Sequence, residues 1–312
     1  MKKIIITADD YGPVSTINRG IEQALEWECI NTVSVLVNGR DANDECVAHE
    51  YLSKLHRRFP EAHIGVHLSI TSGKPVSDIG KVSSLVKKDG SGQFMGYDEY
   101  EYERVSLQEL SSEVQAQIEM FKETGIFLDH ISCHHGLLTL FPDFFKIYMD
   151  AAIQHGVPIR NPIPISRLGI HGFRRSRVKR EGIITAIKLI DDVWWTNLPG
   201  LVVHVHPGNL QHMMDVYAHG QLRYAGYFID TYYKKSSKRR WRKILRNLPE
   251  DRESELMVHH KANGRNEIIP NGIDTKYFKG REKELSIMKQ LSPINGLLET
   301  YGVEFSGFAD IP

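Results

Sequence analysis

The 312-residue sequence predicts an α/β fold, a parallel sheet rolled into a TIM-like (β/α) barrel. Three observations lead there. Short β-branched runs alternate with amphipathic stretches, which is the rhythm of βα repeats. The length suits one α/β barrel. Asp and His gather where the apolar runs end, and ligands in such folds collect at the carboxyl ends of the strands. The expected barrel is irregular or seven-stranded, and residues 1–312 form a single domain.

Ile4-Ile5-Ile6 reads as a buried first strand because three β-branched residues favour a pleated, packed surface. Asp9-Asp10 follows, and Gly12-Pro13 turns the chain. Ser15 or Thr16 is placed to cap a helix carrying Ile17, Ile21, Ala24 and Leu25. The second strand is expected over 31–38, a helix over 44–59, and a third strand over 63–71 with His67 inside it. The stretch 72–102 is rich in Gly, Ser, Lys and Tyr and reads as a long loop over the barrel mouth. Leu110, Val114, Ile118 and Phe121 mark one face of a helix over 107–124. A fourth strand and its exit span 127–136, a helix begins at Pro142 and ends near Gly156, and 157–162 reads as a short fifth strand.

Beyond Ser166 the pattern weakens. Strands are expected over 201–208, 255–260 and 303–308, with a charged helix over 279–291. Two basic runs stand out: 173–181, and 234–246 with Trp241, Ile244, Leu245 and Leu248 at helical spacing. Solvated helix faces account for such runs. The sharper reading is a docking patch for an anionic substrate.

Composition narrows the function classes. Hydrophobic content of 41% and charged content of 25% describe a globular protein. With 39 basic and 39 acidic residues there is no global field to attract nucleic acid. The N-terminus lacks the apolar core and cleavage site of a signal peptide, and no run reaches the length of a membrane span. Three cysteines, Cys29, Cys46 and Cys133, form no spaced motif. A cytoplasmic protein is expected.

The strand exits supply Asp9, Asp10, His67, His134, His135, Arg160, His204, His206, His259 and His260. In a parallel barrel these side chains converge on one mouth. A mixed Asp/His set suits a divalent ion with open positions, and a second carboxylate nearby can move a proton. The residues alone leave open which of Asp9 and Asp10 does which.

The motifs resemble a known family. Thr7-Ala8-Asp9-Asp10-Tyr11-Gly12, Gly65-Val66-His67-Leu68-Ser69-Ile70-Thr71 and His130-Ile131-Ser132-Cys133-His134-His135 are similar to successive motifs of the YdjC/ChbG-like carbohydrate deacetylases. Leu248-Pro249-Glu250, Glu255-Leu256-Met257-Val258-His259 and Arg281-Glu282-Lys283-Glu284-Leu285 resemble their closing motifs. The region 166–233 matches poorly.

This resemblance implies a hydrolase that removes an N-acetyl group from an amino sugar with one divalent metal ion, Mg2+ or Zn2+, or else Mn2+ or Co2+. Asp10, His67 and His134 would be the metal ligands, Asp9 the general base and His259 the general acid. The substrate would be an N-acetylated saccharide; the basic runs add a phosphorylated or lipid-linked sugar as a candidate, and a homodimer is a further candidate assembly. Arg160 is a candidate for binding substrate or orienting a carboxylate, and a surface salt bridge is its plain alternative.

Three positions depart from the family pattern. Ser132 replaces an Asp, which predicts weaker support of the site. Gly136 replaces a His. His259 is followed by His260-Lys261 rather than Pro-Gly, while a His-Pro-Gly occurs at His206-Pro207-Gly208 and makes His206 a rival for the acid. The departures keep in view a barrel that binds sugar or metal without turnover, and the second basic run keeps in view an anionic-surface binder using residues 234–246.

Overall fold

The structure is a computed structural model that describes residues 1–41, 43–96, 99–100, 102–173, 206–232, 236–264 and 275–312. Strand β1 (Lys2–Tyr11) is its axis. From Ile4 to Ile6 it is wholly buried, as three β-branched residues in a row require. Each such side chain contributes about 1.5–3 kcal/mol on burial. Helix α1 (Ser15–Glu26) packs Ile17, Ile21 and Ala24 inward. Its N-cap is Val14 rather than Ser15 or Thr16. The turn is closed instead by Asn18, whose side chain accepts from Gly12 N–H at 2.8 Å and donates to Gly12 O at 2.7 Å.

Strand β2 (Thr32–Val35), helix α2 (Ala48–Arg58) and strand β3 (His63–Leu68) follow. Helix α3 (Leu107–Lys122) buries Leu110, Val114, Ile118 and Phe121, the stripe expected from spacing, and Ser106 caps it. Strand β4 (Ile131–Cys133) leads to helix α4 (Pro142–His155), which Gly156 ends at φ 65°. Short helices α5 (Ile165–Leu168) and α6 (Pro207–His212), strand β5 (Tyr227–Ile229), helix α7 (Lys238–Arg246) and strand β6 (Ser254–Val258) come next. Helices α8 (Thr275–Lys289) and α9 (Asn295–Thr300) and strand β7 (Val303–Phe305) complete the described elements.

The sheet runs β4-β3-β2-β1-β6-β5, with β7 also paired to β1, and every pairing is parallel. It curls as a half-barrel. The parallel α/β class matches the expectation; the described residues form seven strands, and no ladder among them joins β4 to β5 to close a full barrel. Isolated parallel bridges, Ile131 to Ile159, Ile159 to Tyr224 and Pro164 to Phe228, lie between those ends. The fifth strand expected over 157–162 is therefore reduced to bridges. Pro158 and Pro162 flank it, and proline cannot donate to a ladder. The true β5 is three residues long, too short to show a period. The run 201–205, with His204, and most of the basic run 173–181 lie outside the described residues.

Loop 72–102 rests on α3. Buried Glu113 accepts from the N–H groups of Val76 and Ser77 at 2.9 and 3.0 Å, and Gln117 bonds both Ser69 N–H and Ser69 O. Among the described residues no helix is long and apolar enough to cross a membrane.

Candidate active site

The site begins with a backbone irregularity. Successive strand residues face opposite sides of a sheet, so Asp9 and Asp10 would ordinarily point apart. The β1–β2 register shifts between Ala8 and Tyr11, and Asp10 adopts φ 72° in the left-handed region. This kink re-aims Asp10, and both carboxylates face cations and histidines gathered from other strand ends.

Asp10, His67 and His134 each offer one donor atom, and these atoms lie within 4.8 Å of one another. His67 Nε2 is 3.4 Å and His134 Nδ1 2.9 Å from Asp10 Oδ1. That oxygen is buried and makes no well-aligned hydrogen bond, an expensive condition for a carboxylate unless something else binds there. Arg281 of α8 donates to the other oxygen, Oδ2. Burial acts to raise the Asp10 pKa, but Arg281 and His134 hold it well below the usual carboxylate range. Two imidazoles and an ionised carboxylate with one open oxygen are a chemically fitting cradle for a divalent ion.

Asp9 is the more completely paired carboxylate. Arg160 grips it bidentately, Nη1 to Oδ2 at 2.7 Å and Nη2 to Oδ1 at 2.8 Å, and binds Glu255 Oε1 through Nε and Nη2 at 2.8 and 2.7 Å. Burial would raise the Asp9 pKa, yet Arg160 keeps it well below its ordinary value. Arg160, a candidate for substrate contact, thus spends its donors on two buried carboxylates.

His259 leaves β6 with Nε2 at 4.0 Å from Asp9 Oδ2. Its main-chain N–H donates at 2.9 Å to Glu284 Oε1, and Glu284 Oε2 accepts from Ser236. Burial, assisted by nearby Arg281, pushes the His259 pKa down to about 3, so the ring is neutral at rest. Burial likewise pushes Glu284 up to about 8. The chain beyond His260 is locked against α1: Ala262 N–H donates to Thr16 O at 2.9 Å, and a Cβ at Gly20 would sit 2.7 Å from the Lys261 backbone.

The rival histidine lies elsewhere. His206 is exposed, and its Nδ1 accepts from Gly208 N–H to cap α6 at 3.2 Å. His135 bonds Thr71 Oγ1 at 3.0 Å, and the His260 ring is fully buried. In α7, Trp241, Ile244 and Leu245 face inward while Lys238, Arg239, Arg242, Lys243 and Arg246 are exposed.

Sequence reasoning assigned no role to Arg281, Glu255 or Glu284. A cue existed: Glu255 directly precedes the apolar run Leu256-Met257-Val258 of β6, and a buried charge there requires a partner.

Comparison with known proteins follows the same motifs. The profile of the YdjC-like protein family matches residues 3–292, nearly the whole chain. The chain belongs to the YdjC-like family. A carbohydrate deacetylase of Oceanobacillus iheyensis is 31% identical over 158 residues, covering 51% of this YdjC-like chain and 64% of that protein. A carbohydrate deacetylase of Clostridium beijerinckii is 26% identical over 219 residues, covering 67% and 82%. A chitooligosaccharide deacetylase of Proteus mirabilis is 30% identical over 158 residues, covering 50% and 58%. The aligned stretch is thus under two thirds of the first and third relatives. A crystal structure from Enterococcus faecalis V583, described as a candidate cellobiose-phosphate cleavage protein, superposes with a TM-score of 0.68 at 22% identity, covering 98% of this chain and 97% of that one. It shares the fold.

Proposed function

We propose that this YdjC-like chain is a metal-dependent carbohydrate deacetylase, a hydrolase that cleaves the acetamide of an N-acetylated amino sugar to acetate and free amine. The observation that carries the reading is the open, buried Oδ1 of Asp10 facing His67 and His134, with Asp9 and His259 alongside. The names of the relatives agree with it.

Asp10, His67 and His134 would hold the ion, and the imidazoles favour Zn2+ or Co2+ over Mg2+. A bound divalent ion supplies Lewis acidity, making water a nucleophile near neutral pH and polarising the acetyl carbonyl. The remaining work belongs to the chain. Asp9, ionised and oriented by Arg160, accepts the proton of the attacking water at Oδ2, which retains a lone pair beside its hydrogen bond. His259 Nε2 protonates the leaving nitrogen as the C–N bond breaks. Because His259 is neutral at rest, its acid form arises during the reaction, and Asp9 Oδ2, 4.0 Å from its Nε2, is the oxygen that has taken the water proton and can pass it on.

The test is acetate release from a panel of N-acetylglucosamine oligomers and their conjugates, abolished by a chelator and restored by added Zn2+ or Co2+. If metal is bound and the whole panel stays unhydrolysed, the proposal fails.

A further inference from the structure

A histidine that binds a metal does so through a bare ring nitrogen, and the neutral ring carries its proton on the other one. Which nitrogen is bare depends on what the second one meets. At this site His67 and His134 turn opposite nitrogens toward Asp10: Nε2 of His67 and Nδ1 of His134. In each ring the remaining nitrogen meets a serine hydroxyl. His67 Nδ1 is 2.7 Å from Ser132 Oγ, and His134 Nε2 is 3.2 Å from Ser72 Oγ.

We propose that Ser132 and Ser72 are positioning residues that set the ring nitrogen each metal-binding histidine presents, Nε2 for His67 and Nδ1 for His134. The inference rests on the metal-site reading above and adds its atomic assignment.

The direction of the Ser132 bond follows from its surroundings. The Ser132 hydroxyl donates to Val66 O at 3.5 Å, so its oxygen is left to accept from His67 Nδ1–H. Nε2 is then bare and aimed at Asp10. His67 and Ser132 are register partners on the parallel pair β3–β4, and both are buried, so the ladder itself holds donor and acceptor together. Ser72 is fixed by its main chain. Ser72 O accepts from Asn38 Nδ2 at 2.8 Å and from Ser69 Oγ at 3.2 Å, and Asn38 Nδ2 also reaches Lys74 O. A loop residue held at its carbonyl keeps its hydroxyl within reach of His134 Nε2.

The acceptors being neutral hydroxyls has a chemical consequence. A partner that takes the N–H raises the basicity of the ligating nitrogen, and a carboxylate does so more strongly than a hydroxyl. Ser132 therefore supports the site directly, while leaving His67 a weaker donor than a carboxylate partner would.

The experiment titrates the metal-free, full-length protein with Zn2+ against a chromogenic chelator, with no sugar present. Ser132→Ala is expected to weaken Zn2+ binding roughly 10–100-fold, and Ser72→Ala to weaken it within that range. Ser132→Asp should bind more tightly than wild type. The metal-free alanine variants should still unfold in one cooperative transition with the wild-type circular dichroism spectrum, which separates positioning from a fold defect. Nitrogen NMR of the rings gives a second readout: His67 protonated at Nδ1 and bare at Nε2 without metal, and His134 protonated at Nε2 in the Zn2+-loaded protein.

Unchanged Zn2+ affinity in Ser132→Ala, or a His67 protonated at Nε2, overturns the inference. Neither readout needs turnover. A chain that binds Zn2+ as expected but hydrolyses no sugar amide refutes the deacetylase and leaves this assignment standing. An active deacetylase indifferent to Ser132→Ala does the reverse.

Discussion

Replacing Arg160 by Met keeps the length of the side chain and removes its charge, isolating what the guanidinium does. Arg160 joins Asp9 and Glu255 through four hydrogen bonds of 2.7–2.8 Å, all buried. Without it, two carboxylates in a dry interior lose their shared cation. Breaking a buried pair from one side costs about 3–5 kcal/mol. The pH dependence should also change sign. In the native protein the folded pKa of Asp9 lies below its unfolded value, so its contribution is fully present above about pH 4 and is lost as pH falls through that lower pKa. In Arg160→Met, burial remains while the opposing cation is gone, lifting the folded pKa of Asp9 above the unfolded one. Its contribution is then present at low pH and lost as pH rises. The stability gap between the two proteins, measured by urea unfolding of metal-free samples, should therefore widen from about pH 5 to about pH 8. A gap under about 1 kcal/mol, the range of an exposed ion pair, or one equal at both pH values, would refute the assignment of Arg160 as the buried counter-charge.

The two aspartates should separate in a paired measurement. Asp10→Ala is expected to lose metal and activity together, whereas Asp9→Asn keeps its metal by elemental analysis and loses about 10²–10⁴-fold in kcat with KM little changed. Acid should unfold the protein through its buried histidines. Burial depresses His259 and His260 to about 3, below their unfolded value near 6.5, so the unfolded chain binds protons that the folded one refuses, and stability falls as pH drops through that interval. Each histidine contributes a slope of up to about 1.4 kcal/mol per pH unit. His260→Leu should remove one of these, visible in urea titrations between about pH 4 and pH 6, and an unchanged slope would show that His260 is not held neutral. Neither nitrogen of His260 has a hydrogen-bond partner among the described residues, so the same substitution should be neutral or stabilising at pH 7.

Local patterns were legible in the sequence and long-range pairings were not. The β-branched run at Ile4 and the helical stripe from Leu110 to Phe121 each follow from a period that neighbouring residues share, and both elements form where spacing places them. His67 and His134 were visible as polar residues at the ends of apolar runs, and the family motifs picked them out of fifteen histidines. The segment around Ile159 read as a strand because its composition is right, but flanking prolines limit it to single bridges. Arg281 reaches Asp10 across 271 positions of sequence, and no local period can report such a contact. Ser132 looked like a loss of support because its residue type is weaker than Asp; its register opposite His67 turns it into a direct partner.

On the proposed reading, the division of work between Asp9 and Asp10 follows from a difference in their surroundings. Neither carboxylate is distinguished by type, by burial or by being ionised, since both are buried and each faces an arginine. The difference lies in how many oxygens the arginine takes. Arg160 donates to both oxygens of Asp9, which fixes orientation and charge. Arg281 takes only Oδ2 of Asp10, leaving Oδ1 buried and turned to two histidines. An ionised oxygen in that position gains most from a cation, whereas a carboxylate held on both oxygens by one guanidinium stays ionised and fixed in orientation, the state from which a base must start. The kink at Asp10 makes the distinction geometrically accessible: with an unshifted β1 register, the second carboxylate would leave on the opposite face of the sheet.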